Sequence, residues 1–259
     1  MTLILIAILS AVGLFILMLA TAEGGRRLGV ARLARDTGGL AKGSGSAEAA
    51  MFALFGLLIA FTFSGAASRF ADRRDLIVDE ANAIGTAYLR LDLLPSDAQP
   101  PLRELFREYA DNRYRAYRQA ADTAATESMF AETARLQSQI WTRAVAALES
   151  QGMSPPRATL LLGALNEMID ITATREMTTR NHPPVVVFLL LAALSLVCSL
   201  LVGYATSQNA DRSWLHTLTF AAIISLTVYV IVDLEFPRVG LIRVDSADDV
   251  ILEVRENMQ

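Results

Sequence analysis

Four apolar stretches, residues 3–20, 51–67, 185–204 and 215–232, bracket one charged block. Each is close to the roughly 20 residues with which an α-helix crosses about 30 Å of hydrocarbon. Lipid offers no partner to a bare backbone, so a spanning segment must bond to itself, and the four stretches predict four membrane-spanning helices. Charged residues make up 19% of the chain, yet they are kept out of these stretches and crowd into residues 69–180. That segregation belongs to a membrane protein with a water-facing domain. The predicted fold class is all-α: four transmembrane helices with a water-facing helical bundle inserted between the second and third.

A net charge of −4 gives no footing for a nucleic-acid partner, whose phosphates call for an excess of Lys and Arg. Cys198 is the single cysteine and lies mid-span, which excludes an intrachain disulfide and leaves it a packing or lipid-facing residue. At the N-terminus, Met1-Thr2-Leu3-Ile4 lacks the basic residues of a secretory leader, and the apolar run is longer than a leader's core. A retained first span is preferred; a leader cleaved near Ala20-Thr21-Ala22 is the alternative.

The expected order is a first transmembrane helix at 1–22, a flexible basic Gly/Ser loop at 23–49, a second span at 50–67, the bundle at 68–183, a third span at 184–205, a short loop at 206–213, a fourth span at 214–234 and a C-terminal tail at 235–259. Gly24, Gly25, Arg26 and Arg27, then Gly43, Ser44, Gly45 and Ser46, carry the loop reading. Helical spacing runs past the second span through Phe70, Ile77, Ala81, Ile84 and Leu91 until Leu94-Pro95, so this helix is expected to continue out of the membrane. Leu102, Leu105, Phe106, Tyr109 and Tyr117 define a next helix, Met129, Leu136, Ile140 and Trp141 another, and Leu161, Leu165, Met168 and Thr172 a fourth. Pro100 and Pro101, Gly152 to Pro156, and Pro183-Pro184 punctuate them. Val239 to Val244 is β-prone and is expected to form a short strand or to lie along the bundle, with an acidic tail behind it. Arginines near span ends slightly favour the bundle and both termini in the cytoplasm, and the expected location is a bacterial inner membrane.

Several blocks resemble the bestrophin-like domain family. Gly56-Leu-Leu-Ile-Ala-Phe-Thr-Phe-Ser-Gly-Ala-Ala-Ser-Arg-Phe70, then Arg73-Arg74 and Glu80-Ala-Asn-Ala-Ile-Gly-Thr-Ala-Tyr88, look like its signature. Leu165-Asn-Glu-Met-Ile-Asp170 and Asp233-Leu-Glu-Phe-Pro-Arg-Val-Gly-Leu-Ile-Arg-Val244 fit the same pattern. Bestrophins proper are pentameric ion channels with four spans per subunit and a pore lined by the second. The resemblance therefore implies a homo-oligomer, pentameric by likeness alone, that passes inorganic ions.

Within the second span, Phe55, Ile59 and Phe63 form an apolar stripe, a candidate pore lining that would gate by dewetting or, more plainly, face lipid or a neighbouring helix. Gly56, Ala60 and Ser64 form a small-residue stripe suited to close helix packing. Arg69, Arg73 and Arg74 stand at the membrane exit, either as a pore mouth that concentrates anions or as anchors among headgroups. Glu80 and Asn82, with Asn166, Glu167 and Asp170, are read as a polar network joining bundle helices; oxygen ligation of a divalent cation is the weaker alternative, since no calcium-loop spacing is present. Arg175 or Arg90 would neutralise their charge. Asp233 and Glu235 close the fourth span and need a partner such as Arg238 or Arg243 so near lipid. His182 is an interfacial residue with some capacity to sense pH, and Trp214 and His216 read as anchors.

No phosphate-cradling glycine loop, His-Glu-x-x-His pattern, Cys/His metal spacing or activated serine occurs. The expectation is not an enzyme, with no cofactor and no metal, and with the lipid bilayer and further copies of itself as partners. An oligomeric ion channel, anions slightly preferred, is the favoured function. A non-conducting membrane scaffold or sensor, whose bundle binds a cytosolic partner, is the competing one.

Overall fold

A computed structural model describes residues 2–35, 45–118, 123–150, 154–208, 214–238 and 240–258. Its helices are α1 (Thr2–Leu33), α2 (Gly45–Leu89), α3 (Gln99–Arg118), α4 (Thr123–Ser150), α5 (Pro155–Arg180), α6 (Val185–Ala205), α7 (Trp214–Glu235) and α8 (Asp245–Glu256), with tight turns at Arg90–Leu93 and Thr206–Gln208. Four helical stretches, those carrying α1, α2, α6 and α7, are long and apolar enough to cross a membrane.

The helix ends follow local chemistry. Leu94 is extended, with ψ at 159°, as the residue before Pro95 must be. Pro155 opens α5 right after Ser154, where its missing N–H costs nothing. Two expectations need correction. The Gly/Ser loop is far shorter than 23–49, because α1 runs on to Leu33 and α2 starts at Gly45; Lys42, Gly43 and Ser44 lie outside the described residues. The C-terminal segment forms no strand among the described residues. Its acidic stretch is α8 instead, whose first-turn Asp245 and Asp248 suit a helix N-terminus. Val239 and Gly152 also fall outside the described residues.

The chain divides into two compact units, Met1–Arg69 with His182–Ile242, and Phe70–Asn181 with Arg243–Gln259. Helix α2 is unbroken across 45 residues, about 67 Å at 1.5 Å per residue, and contributes to both.

In the first unit α1 packs on α6 and α7. Its buried residues Leu14, Met18, Ala22, Gly25 and Gly29 recur every three or four positions, one stripe of the helix. A Cβ on Gly25 would collide with the Leu200 carbonyl, one on Gly29 with the Ser207 side chain, and one on Gly203 with the Ala22 carbonyl. The helices meet backbone to backbone there, which is how spans associate where lipid is as apolar as the side chains. Ser199 Oγ adds a hydrogen bond to the Met18 carbonyl at 2.6 Å. Leu5, Ile16, Leu189, Leu215 and Leu226 turn outward with more than half of each exposed. In water this would be an aggregation surface; in a bilayer it is the solvated one.

The second unit is inverted. Ile77, Ile84 and Leu91 of α2, Leu102, Phe106 and Tyr109 of α3, Leu136 and Ile140 of α4, Leu161 and Leu165 of α5 and Ile251 of α8 are all within 1% of complete burial. Its outer surface is mostly charged or polar, as in a fold built for water.

Candidate functional site

In the membrane part of α2 the apolar stripe runs obliquely to the surface of the subunit. Phe55 is buried at 3% exposure, Ile59 is half-buried and Phe63 is 42% exposed, so the three wrap from the subunit interior to its surface. Phe52, on the inner side, meets Phe220 edge to face at 6.2 Å between centroids. The exposed surface has two neighbouring faces. One is bulky, with Leu54, Leu57 and Phe61; the other is small and polar, with Gly56, Ala60 and Ser64 beside Phe63. Nothing lies within 4 Å of a Cβ built on Gly56, so the small-residue stripe packs against nothing in its own chain.

Where α2 leaves the span, Arg69 donates through Nε at 2.8 Å and Nη2 at 2.5 Å to Oε1 of Glu235. Glu235 is fully buried, and His182 Nδ1 stands 3.6 Å from its second oxygen. The His182 ring stacks on Phe236 at 4.6 Å. A buried carboxylate is expensive unless paired, and this one is held by a guanidinium fork. Asp233, two residues earlier, is organised differently. Its Oδ1 accepts the Leu241 N–H at 2.9 Å and the Tyr229 hydroxyl at 3.2 Å, and its Oδ2 accepts the Ile242 N–H at 2.8 Å. A Cβ on Gly240 would strike this carboxylate, so glycine is what lets the turn after α7 fold onto it. Neither Arg238 nor Arg243 is its partner; Arg243 pairs with Asp245 at 2.7 Å in the second unit.

The three arginines at the exit have separate partners within the chain. Arg69 is the Glu235 partner. Arg73, 5% exposed, donates to the carbonyls of Thr178 at 3.4 Å and Asn181 at 2.9 Å, and so ties α2 to the end of α5, where carbonyls run out of helical partners. Arg74 is exposed, 3.9 Å from Asp75.

In the second unit, Glu80 is completely buried and takes Arg113 on Oε1 and Arg175, at 2.5 Å, on Oε2. Arg175 in turn donates to Asp248 of α8 at 2.8 Å. The polar network anticipated around Glu80 therefore exists with other members: Asn82, Asn166, Glu167 and Asp170 are exposed, while Arg113 and Asp248 went unread. Arg175 neutralises Glu80 as one expectation had it; Arg90 donates to the Leu160 carbonyl at 2.7 Å. The signal for Arg113 was present, because it continues the buried stripe Leu102, Phe106 and Tyr109, and a charge on a core stripe demands a partner. A second cluster joins Tyr109, Thr172 and Gln137, with the Tyr109 and Thr172 oxygens 3.1 Å apart and Gln137 Nε2 within 3.2 Å of both. Burial raises the Tyr109 pKa. Among the described residues no group of three His, Cys, Asp or Glu side chains is placed to hold a metal ion.

The sequence matches the Bestrophin-like domain over residues 46–248. The chain belongs to the Bestrophin-like family. Solved structures support the family fold: a bacterial Bestrophin homolog from Klebsiella pneumoniae carrying a point mutation superposes with a TM-score of 0.70 at 16% identity, over 94% of this chain and 98% of that one. The same homolog phased on zinc gives 0.67 at 17% identity, over 94% and 97%. No match is found among functionally curated proteins. The Bestrophin-like match takes in α2 through α7 and stops at Asp248, inside α8. Most of α8 thus lies beyond the matched stretch, although Asp248 ties it to Arg175.

Proposed function

We propose that this chain is one subunit of an oligomeric, bestrophin-like ion channel in which the small face of α2 turns toward an axis shared with other copies. The observation that carries this reading is α2 itself. It is one continuous helix whose Gly56, Ala60 and Ser64 face is unpartnered in its own chain, and a stripe of small residues is suited to close approach of another helix, unlike the bulky Leu54 and Phe61 face. On this reading Phe63 remains a pore-facing candidate, Ile59 sits at the margin, and Phe55 supports the helix from behind. The second unit and both termini lie in the cytoplasm. Of the exit arginines, Arg74 alone is left to favour anions at a mouth, so selectivity is tested directly.

The test is ion flux in proteoliposomes, with chloride and potassium compared, and oligomer mass measured on the same preparation. Flux from a multi-subunit species, changed by Phe63→Ala or Ser64→Leu and not by Leu54→Ala, supports the channel. An intact oligomer or a monomer that passes neither ion overturns it in favour of a membrane scaffold.

A further inference from the structure

Helices α1, α6 and α7 enclose a cavity of about 440 Å³ within the first unit. Its walls are apolar, with Ala11, Leu14, Phe188, Ala192 and Val228, and its rim includes Ile6 and Leu189, which are 54% and 64% exposed. The cavity therefore opens on the surface that faces lipid. Water is a poor tenant, because a buried water needs two to four polar partners, and such walls offer almost none. The medium at the rim is acyl chain.

One end of the cavity is polar. Asp233 and Tyr229 line it, and Asp233 is 3% exposed. That carboxylate accepts three hydrogen bonds, all from uncharged donors: the Tyr229 hydroxyl and the Leu241 and Ile242 N–H groups. Among the described residues no basic side chain pairs with it, in contrast to Glu235 and Arg69. An acidic side chain with no basic partner at the end of a span is suited to receive a cation, and the cavity supplies the place where one would arrive attached to a hydrocarbon tail. We propose that this cavity binds an amine-bearing phospholipid, with one acyl chain between α1, α6 and α7 and the ammonium headgroup directed to Asp233. The site requires only that the chain sits in a membrane, and it stands whether or not the protein conducts.

The experiment titrates the delipidated, full-length protein with phosphatidylethanolamine or phosphatidylglycerol of identical acyl chains and counts bound lipid by native mass spectrometry. Wild type should prefer the ethanolamine lipid roughly tenfold, the scale of one desolvated charge pair. Ala11→Phe and Ala192→Phe, which fill the cavity, should each abolish the adduct, and Asp233→Asn should keep an adduct but lose the preference. Equal retention of the two lipids by wild type, or an adduct that survives both filled-cavity variants, overturns the proposal. So does a wild type that retains neither lipid together with an Ala192→Phe variant of lower oligomer mass, since the cavity would then seat a second copy. If Asp233→Asn fails to fold, wild-type preference and the two Phe variants still decide.

Discussion

The two units solve the same problem, packing helices, with opposite materials. In the first unit the closest contacts are between backbones, and many of the large apolar side chains point outward. In the second, large side chains meet in a core, and charged groups are buried as matched sets. The solvent explains the difference: without a hydrophobic drive between helices in lipid, close approach and dispersion must do the work, whereas in water burying Phe106 or Leu165 is itself favourable, by about 25 cal/mol per Å² of apolar surface. One unit should break when an atom is added and the other when a group is removed.

The sharpest break is a single methyl group placed on neighbouring glycines. Gly25→Ala puts a Cβ into the Leu200 carbonyl, and Gly203→Ala puts one into that of Ala22. Neither backbone can step aside without opening α1 from α6, so overpacking should cost about 3 kcal/mol, the upper end of its usual range, or more. Gly24→Ala, with nothing within 4 Å, should be neutral or slightly stabilising through helix propensity. Thermal aggregation of the three purified variants checks this; if Gly24→Ala and Gly25→Ala melt alike, the contrast fails.

Comparable in size is removal of one partner from the buried ionic set of the second unit. Glu80→Gln leaves Arg113 and Arg175 facing a neutral amide, and loss of a buried partner of this kind costs about 3–5 kcal/mol. Asp248→Asn should cost less, because Arg175 keeps Glu80, and should chiefly release α8. Denaturant melts combined with proteolysis of the C-terminus separate the two: early cleavage within α8 is expected for Asp248→Asn at near-normal global stability. A Glu80→Met, Arg113→Met, Arg175→Met triple variant that recovers most of the loss would indicate that the set specifies the fold more than it stabilises it.

The same contrast sorts what the sequence could disclose. Four spans, the outrun of α2 and the breaks at Pro95 and Pro183 were legible because length, apolar runs and proline chemistry act locally. Gly25 and Gly29 were misread as loop residues, since glycine signals freedom in water and close approach in lipid, and the sequence does not say which medium begins where. The faces of Phe55 and Gly56 were not legible for a related reason: every exposed side of a spanning helix looks alike until its neighbours are known. Arg113 could have been found from its place on the α3 core stripe. Asp248 could not, because α8 returns to Arg175 from 73 residues away and short acidic tails carry little periodicity.

Smaller effects come from single uncharged hydrogen bonds, and here the two units should again part. Tyr109→Phe removes the hydroxyl shared by Thr172 and Gln137 inside the second unit and should cost about 1 kcal/mol or slightly more, because buried polar groups lose a partner. The raised Tyr109 pKa adds a sign: with the phenol harder to ionise in the folded state, its contribution is complete below the unfolded value of about 10 and fades as pH rises above it. Tyr109→Phe should therefore flatten the alkaline limb of the stability profile measured by thermal melts between neutral pH and pH 11.

The smallest effect is expected at Ser199, whose hydroxyl reaches across from α6 to the Met18 carbonyl. On vacuum reasoning this bond in an apolar interior should outweigh the one at Tyr109. Yet the Met18 carbonyl is already an acceptor within α1, and Ser199, once separated from α1, can bond back along its own helix as Ser195 does to Leu191 at 2.7 Å. The alternative to the interhelical bond is thus another bond rather than an orphaned group, and Ser199→Ala should cost only about 0.6 kcal/mol. Reversible unfolding in mixed micelles, with Tyr109→Phe beside it, measures both; a Ser199→Ala loss larger than that of Tyr109→Phe would mean that polar side chains, and not backbone proximity at Gly25 and Gly203, hold α1 against α6.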